Sequence, residues 1–396
     1  MRIAQHAAAL LSVASAAAFH VPKHPGLRHS RVAIVAAACS VRRGGRLAGP
    51  RCCVAAMTSG ARTALDEVDS AGNFARTAAA WTGCTVERGG RFEPEAGRYH
   101  LYVALGCPWA NGALTALYHK GLEGVISYSV VHPTWARTRP DDADDTHCGW
   151  HFKAPGDEPV PNALGHGANE CDSALVPDTV NGFKTLREVY ELAGDEGGKY
   201  STPVLFCKKE RTIVSNESMD ILKILNSSFN ELALHPEVDL FPAHLQEATE
   251  KLNALIYPSV NNGVYRCGFA QSQGAHDTAL AELFAALDEL EKTLGASKFL
   301  TGNAFTWLDL RLYHTLVRFD SVYHTYFKTN LRRIQDYPAL LRFLRAAYAV
   351  PAVKRTTNMR HIKMHYFTSH PHLNPFGIIP GGQGPALEIA RADCLE

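Results

Sequence analysis

The sequence predicts an α/β domain followed by an all-helical domain. In the first part, short apolar runs of β-forming residues, such as the run from Arg98 to Cys107 and residues 125–131, alternate with helical segments. From about Leu245 onward, apolar residues recur at helical spacing with almost no strand signal. The length of 396 residues and the hydrophobic fraction of 46% suit two globular domains. We therefore expect an α/β domain over residues 57–244 and a helical domain with a tail over residues 245–396.

Residues 1–56 have the composition of a cleavable targeting leader. They contain eight Lys or Arg and no acidic residue, and the first acidic residue of the chain is Asp66. A short apolar run over residues 7–18 precedes Phe19, so a signal-like and a transit-like segment stand in series. This arrangement resembles the two-part leaders of plastid proteins that travel through the secretory pathway. It predicts a plastid location, with a mitochondrial or purely secretory leader as the alternative.

Charge and hydropathy argue against two classes of partner. The formal net charge of the whole chain is +1, and removal of the eight basic residues of the leader leaves −7. A mildly acidic body argues against nucleic acid as the partner. The apolar run of the leader is too short to span a bilayer, and no later segment is long enough. We therefore expect a protein that binds neither nucleic acid nor membrane.

Cys107 is the strongest candidate for a catalytic residue. It follows an apolar β-rich run and precedes Pro108, which suits the first position of a helix because proline has no N–H to lose there. The unpaired amides and the dipole of that helix would stabilise a thiolate. The alternative is that Cys107 is a small buried hydrophobic residue. Ala110 occupies the place of a second cysteine, so a disulfide formed at Cys107 must be opened by an external thiol.

Two further features of the first domain indicate a ligand site. Pro203 opens a predicted strand and cannot donate to its ladder. We therefore predict a cis bond between Thr202 and Pro203, which turns the neighbouring backbone groups toward a ligand. A second strand, residues 212–215, leads into Glu217 and Ser218 at the start of a helix. These side chains and the backbone amides suit the charged ends of a peptide, and the alternative is a simple helix cap.

Other segments are predicted to be structural. A polar stretch rich in Asp, Gly and Pro over residues 134–181 predicts a long loop, followed by a helix over residues 183–192. Another helix is expected over residues 219–226. In the second domain, Thr306 and Asp309 have the spacing of a helix capping box.

The sequence gives no convincing metal site. His361, His365, His370 and His372 lie close together, but the first two fit one face of an ordinary helix, and no carboxylate or cysteine completes a ligand set. The ten cysteines include no Cys-x-x-Cys pair. We therefore predict no metal cofactor.

Together these features resemble a glutathione transferase, and longer motifs resemble one branch of that superfamily. The chain is similar to the glutathionyl-hydroquinone reductases, the Xi class, over nearly all of residues 81–385. Six motifs carry the resemblance. The first is Tyr-His-Leu-Tyr-Val-Ala-Leu-Gly-Cys-Pro-Trp-Ala, residues 99–110, and the others are residues 130–133, 149–152, 261–270, 316–323 and 361–366. The resemblance implies a thioredoxin-like α/β N-terminal domain plus an all-α C-terminal domain, the glutathione transferase fold.

The resemblance also implies roles for individual residues. Cys107 matches the nucleophile of the family. Tyr265 matches the tyrosine that handles the proton, while Tyr323 and Tyr366 match two tyrosines that favour the thiolate form of the cysteine. The residues that match the glutathione-binding groups of the family are Trp150, Lys199, Tyr200, Ser201, Thr202, Glu217 and Ser218.

The implied reaction is the reduction of a glutathionyl-hydroquinone, with glutathione as co-substrate. Cys107 attacks the glutathionyl sulfur, Tyr265 protonates the ring carbon, and a second glutathione opens the mixed disulfide. The family also implies a homodimer. One alternative is an omega-like thioltransferase or dehydroascorbate reductase, which would use the same cysteine without needing the three tyrosines. The other is a non-catalytic transferase-fold interaction module.

The chain departs from the family pattern at three places. Asn111 and Gly112 stand where the family has His-Arg, which removes a cation one turn from the thiolate and predicts weaker stabilisation of that thiolate. Lys199 replaces an arginine and so lacks its bidentate fork. The loop over residues 134–148 is longer and richer in Asp than usual, so a different substrate preference is expected.

Overall fold

The computed structural model describes residues 61–382 together with residues 384 and 387. The described residues belong to one compact unit. The predicted leader over residues 1–56 lies outside the described residues. None of the described helices is long and apolar enough to cross a membrane.

A four-stranded mixed sheet forms the centre of the N-terminal half. The strands of the described residues are β1 (Tyr99–Val103), β2 (Ser127–Val130), β3 (Ala136–Arg137), β4 (Cys148–Gly149), β5 (Val204–Cys207) and β6 (Thr212–Ser215). The order in the sheet is β2-β1-β5-β6, with β1 parallel to β2 and antiparallel to β5, which pairs antiparallel with β6. The strands β3 and β4 form a separate ribbon inside the long loop predicted over residues 134–181.

Helices make up most of the remaining structure. The first three, α1 (Pro108–His119), α2 (Leu186–Leu192) and α3 (Ser218–Lys223), alternate with the strands. The second half contains α4 (Gln246–Ile256), α5 (Gly263–Gly268), α6 (Gln273–Gly295), α7 (Trp307–Arg318), α8 (His324–Tyr326), α9 (Pro338–Tyr348), α10 (Pro351–Thr356) and α11 (Met359–Thr368). The predicted succession of an α/β half and a helical half is confirmed.

Capping boxes define two helix starts. The helix expected from residue 183 begins three residues later as α2, because Thr185 is its N-cap and forms a capping box with Glu188. The predicted pair at the start of α7 is present, since the Asp309 carboxylate accepts from the N–H and the hydroxyl of Thr306 at 2.9 and 2.7 Å. It also accepts from the N–H of Leu300 at 2.8 Å. Asp309 therefore ties the helix start to the preceding loop.

Three helices of the described residues widen into π-helical turns. The helix expected over residues 219–226 is α-helical only as far as Lys223 and continues as the π-helical turn Ile224–Ser228. The turn Tyr257–Asn261 joins α4 to α5, and the turn Phe319–Tyr323 joins α7 to α8. The sequence periodicity did not predict these turns.

Both faces of the sheet are buried. Tyr99, Leu101 and Val103 alternate along β1 and pack into the large core that includes α1 and the helical half. Tyr102 belongs to a second, smaller core that contains α2 and Phe206 of β5. Strands that are apolar on both faces are typical of a sheet that helices cover on both sides.

The helical half holds the loop that leads from β1 into α1. Gly106 in this loop packs directly against α11, and a Cβ atom at residue 106 would lie 2.5 Å from the Cβ of His365. The guanidinium of Arg318, at the end of α7, donates to the carbonyl oxygens of Leu105 and Gly106 at 3.3 and 3.2 Å. The start of α1 is therefore fixed by contacts from the second half of the chain.

Substitution of Gly268 by alanine tests how tightly the helical half is packed. A Cβ atom at this position would collide with the ring of Phe327. We expect Gly268→Ala to lower the free energy of unfolding in urea by about 1–3 kcal/mol, as overpacking does. Gly274→Ala is the matched control, because this helical glycine has open space around it and alanine should be neutral or stabilising by up to about 1 kcal/mol. Equal stability of the two variants would contradict this packing.

Candidate active site

The N-terminal end of α1 opens into a cleft between the α/β half and the helical half. The cleft has a volume of about 290 Å³. Tyr323 lies outside its lining, behind Tyr366, to which its hydroxyl is hydrogen-bonded. The other predicted site residues all line the cleft, and they are Cys107, Trp150, Lys199, Tyr200, Ser201, Thr202, Glu217, Ser218, Tyr265 and Tyr366.

Cys107 is the N-cap residue of α1, as the sequence predicts. Its backbone is extended (φ −84°, ψ 122°), Pro108 is the first helical residue, and its carbonyl oxygen accepts from the N–H of Asn111. The Cys107 sulfur lies 3.6 Å from the carbonyl oxygen of Thr202, and the predicted cis bond between Thr202 and Pro203 is present. The side chain is half-buried and lines the cleft. A ligand in the cleft can therefore reach the sulfur at the N-terminal end of α1.

Three tyrosine hydroxyls form a hydrogen-bonded chain at the cleft. The hydroxyl of Tyr366 lies 2.6 Å from that of Tyr265 and 2.9 Å from that of Tyr323. Burial raises the pKa of all three tyrosines, and the positive charge of Arg318 opposes part of this effect. The hydroxyls are therefore neutral near pH 7, and Tyr265 and Tyr366 can donate a proton to a group in the cleft.

Arg318 supplies a fully buried positive charge next to this chain of hydroxyls. Besides the carbonyl oxygens of Leu105 and Gly106, its guanidinium donates to the carbonyl oxygen of His314 at 2.5 Å. No Asp or Glu of the described residues forms an ion pair with it. This role was not predicted from the sequence, although an arginine between the apolar residues Val317 and Phe319 was a signal that could have found it.

Asn111 and Gly112 make packing contacts in the first turns of α1. The Asn111 side chain is buried and donates to the carbonyl oxygen of Thr356 at 3.0 Å. A Cβ atom at Gly112 would meet Leu222 at 3.7 Å. Asn111 thus joins α1 to α10, and Gly112 faces α3 with room for a small side chain.

His365 lines the cleft beside Trp150. The centroids of the two rings are 4.6 Å apart, and His365 Nδ1 lies 3.0 Å from the carbonyl oxygen of Pro133. Burial lowers the pKa of His365 to about 3. The imidazole is therefore neutral at physiological pH and positions Trp150 without adding charge.

The C-terminal histidines form no metal site with the residues that the structure describes. No group of three or more His, Cys, Asp or Glu side chains among those residues could hold a metal ion. One carboxylate does lie beside the first of these histidines without completing a ligand set. Asp172 lies 2.9 Å from His361 Nε2, because the long loop runs back to α11.

Glu217 and Ser218 lie at the start of α3. Glu217 Oε1 accepts from the N–H of Met219 at 3.1 Å and from the hydroxyl of Ser218 at 3.2 Å. Glu217 is therefore a helix cap as well as a cleft residue. Its carboxylate keeps a second oxygen, so the capping role and a ligand-binding role are compatible.

The segment of residues 199–202 is held from outside the cleft. The hydroxyl of Tyr190 donates to the carbonyl oxygen of Ser201 at 2.7 Å. The ammonium of Lys199 lies 2.6 Å from Oε1 of the buried Glu67. Burial lowers the pKa of Lys199, and the Glu67 carboxylate opposes this. The positive charge of Lys199 is thus directed at Glu67.

Two arginines that the sequence analysis missed flank Trp109 at the cleft. Cζ of Arg76 lies 5.3 Å from the Trp109 ring centroid, and Cζ of Arg311 lies 5.5 Å from it. Cζ of Arg76 also lies 4.9 Å from the ring centroid of Tyr265. Within the described residues, neither arginine is paired with a carboxylate. No spacing marks either residue in the sequence, since only the fold brings these segments together.

Comparison with known proteins identifies relatives of the chain. Residues 273–346 match the family model described as Glutathione S-transferase, C-terminal domain. Over 334 residues the chain is 41% identical to glutathionyl-hydroquinone reductase YqjG of Escherichia coli (strain K12), and the alignment covers 82% of this chain and 94% of that protein.

Solved structures of glutathione transferases are also similar to this chain. Glutathione-S-transferase Xi from Phanerochaete chrysosporium is 40% identical and superimposes with a TM-score of 0.69, covering 80% of this chain and 94% of that one. The glutathione-bound structure of YqjG from Escherichia coli K-12 has a TM-score of 0.67 at 40% identity, covering 77% of this chain and 92% of that one. Sequence and fold therefore agree on one group of relatives.

His365 should make the fold sensitive to acid. Its pKa in the folded protein, about 3, lies below the value of about 6.5 in an unfolded chain. The stability that depends on the neutral imidazole is therefore complete above about pH 6.5 and is lost as the pH falls toward 3. Between pH 7 and pH 5.5 we expect this group to remove about 1 kcal/mol from the free energy of unfolding.

Urea denaturation at both pH values, of the wild type and of His365→Gln, measures this effect. The variant should lose about 1 kcal/mol less than the wild type on acidification. An identical loss in both proteins would show that His365 does not titrate as a buried neutral group.

Proposed function

The chain belongs to the glutathionyl-hydroquinone reductases of the Xi class of glutathione transferases, and we propose that it reduces S-glutathionyl-hydroquinones to hydroquinones with glutathione as co-substrate. The observation that carries the proposal is one cleft that contains Cys107, at a helix N-terminus, and the hydrogen-bonded hydroxyls of Tyr265 and Tyr366. A thiolate and a proton donor are the two groups that reductive cleavage of a carbon–sulfur bond needs.

In the first half-reaction, the thiolate of Cys107 attacks the glutathionyl sulfur of the substrate. A sulfur–sulfur bond forms, the bond between sulfur and the ring carbon breaks, and its electron pair goes to the ring carbon. Tyr265 donates a proton to that carbon and is reprotonated through its hydrogen bond with Tyr366. The products are the hydroquinone and a mixed disulfide between Cys107 and glutathione.

In the second half-reaction, another glutathione thiolate attacks the mixed disulfide. Oxidised glutathione leaves, and the thiolate of Cys107 is restored. An external thiol performs this step because Ala110 occupies the position of a resolving cysteine. The kinetics are therefore ping-pong.

Glutathione lies along the α/β wall of the cleft in this proposal. The carboxylate of Glu217 attracts its ammonium group, and the hydroxyl and N–H of Ser218 suit its α-carboxylate. The backbone next to the cis bond of Thr202 pairs with its peptide groups, beside Trp150. Lys199 takes part through its backbone, because its ammonium is paired with Glu67.

We also propose that the protein acts in plastids as a homodimer. The composition of residues 1–56 supports the location, and the family resemblance supports the dimer. Imaging of a fluorescent fusion of the full chain distinguishes plastids from mitochondria and the secretory pathway. Light scattering of the purified protein distinguishes a dimer from a monomer.

The test of the reaction is glutathione-dependent release of hydroquinone from a glutathionyl-hydroquinone by the purified chain. Cys107→Ala should lose this activity, because no other group replaces the nucleophile. Tyr265→Phe should lower kcat by about 10²-fold or more, since the proton donor is removed. Cys171→Ala and Tyr337→Phe are the matched controls and should retain activity, since both side chains lie outside the cleft.

The alternatives give different results in the same assay. Reduction of glutathione mixed disulfides or dehydroascorbate alone, with Tyr265→Phe unaffected, would replace the proposal with an omega-like thioltransferase or dehydroascorbate reductase. A wild-type protein without any glutathione-dependent turnover would instead be a non-catalytic interaction module.

A further inference from the structure

Arg76 presents an open guanidinium edge to the cleft. Its Nε donates to Oδ1 of Asn262 at 2.8 Å, and its Cζ lies 5.2 Å from the ring centroid of Phe74 and 4.9 Å from that of Tyr265. Aromatic rings beside a guanidinium fix its plane and leave its N–H edge accessible. No described residue accepts a hydrogen bond from Nη1 or Nη2 of Arg76. These N–H groups are therefore available to a ligand.

The carboxylates that line the cleft do not neutralise Arg76. Glu217 accepts from the N–H of Met219, and Asp195 accepts from the indole N–H of Trp81 at 2.9 Å. Neither carboxylate is an ion-pair partner of Arg76 in the described part of the chain. A cation that is partly removed from water and lacks a counter-charge favours an anionic ligand.

Arg76 lies on the side of the cleft where the ring of the substrate must be. It stacks on Tyr265, which donates the proton to the ring carbon in the proposed reaction. It also stacks on Trp109, two residues after Cys107. A substituent on a ring that contacts both Tyr265 and the Cys107 sulfur is therefore within reach of the guanidinium.

We propose that Arg76 binds a carboxylate carried by the ring, so that the preferred substrates are glutathionyl-hydroquinones with an acidic substituent. The inference rests on the proposed function and adds the substrate class. Arginine binds a carboxylate through two parallel N–H···O bonds in the plane of the guanidinium, and the stacked rings hold that plane in place. Arg76 is thus a specificity-determining residue, whereas Cys107 and Tyr265 act on any ring.

The test compares a glutathionyl-hydroquinone that bears a ring carboxylate with its methyl ester. The full-length wild type should prefer the carboxylate over the ester by about tenfold or more in kcat/KM, as a charge-assisted pair gives. Arg76→Gln should abolish this preference by lowering kcat/KM for the carboxylate substrate much more than kcat/KM for the ester. Arg76→Lys should keep part of the preference, because the charge remains and the fork is lost.

Arg88→Gln is the matched control, because it removes an exposed arginine that pairs with Glu231, and it should leave both substrates unaffected. The KM for glutathione should be the same in Arg76→Gln and the wild type. An equal loss on both substrates, or a raised KM for glutathione, would assign Arg76 to glutathione and overturn the inference. Failure of the wild type to release hydroquinone from either substrate would instead overturn the proposed function, and this inference with it.

Discussion

The position of the candidate nucleophile depends on one buried guanidinium. Arg318 binds the carbonyl oxygens of Leu105 and Gly106, and these two groups determine how the chain leaves β1 and enters α1. Because the guanidinium has no acidic partner among the described residues, backbone dipoles and the nearby tyrosine hydroxyls are its electrostatic environment. One residue of the helical half therefore sets both the geometry of the loop before Cys107 and the electrostatic field around the three tyrosine hydroxyls.

The second contact with this loop comes from α11. His365 lies so close to Gly106 that no side chain fits there, and burial together with Arg318 keeps the imidazole neutral. Contacts from α7 and α11 therefore hold the same loop. The α/β half contains the sulfur, but it does not determine the surroundings of the sulfur by itself.

The features that could be predicted from the sequence act over a few residues. Pro108 fixes a helix start, Pro203 makes a cis bond plausible, and Thr306 caps its own helix, so each can be recognised locally. The tyrosines of the cleft came only from the family motif, because a single tyrosine among apolar residues is typical of a core. Arg76 and Arg318 act on residues distant in the sequence, and no local spacing could have indicated their partners.

The π-helical turn Phe319–Tyr323 links the geometry of the site to the number of residues between Arg318 and Tyr323. Arg318 and Tyr323 are five positions apart, and in a helix with 3.6 residues per turn they would point about 140° away from each other. In the wider turn, the N–H of His324 binds the carbonyl oxygen of Phe319. This geometry lets the side chains of Arg318 and Tyr323 both approach the hydrogen-bonded tyrosines of the site. Loss of one residue from this turn would restore ordinary helical geometry and rotate either the guanidinium or the phenol away. Relatives with the same residue types but a shorter turn would therefore lack this arrangement.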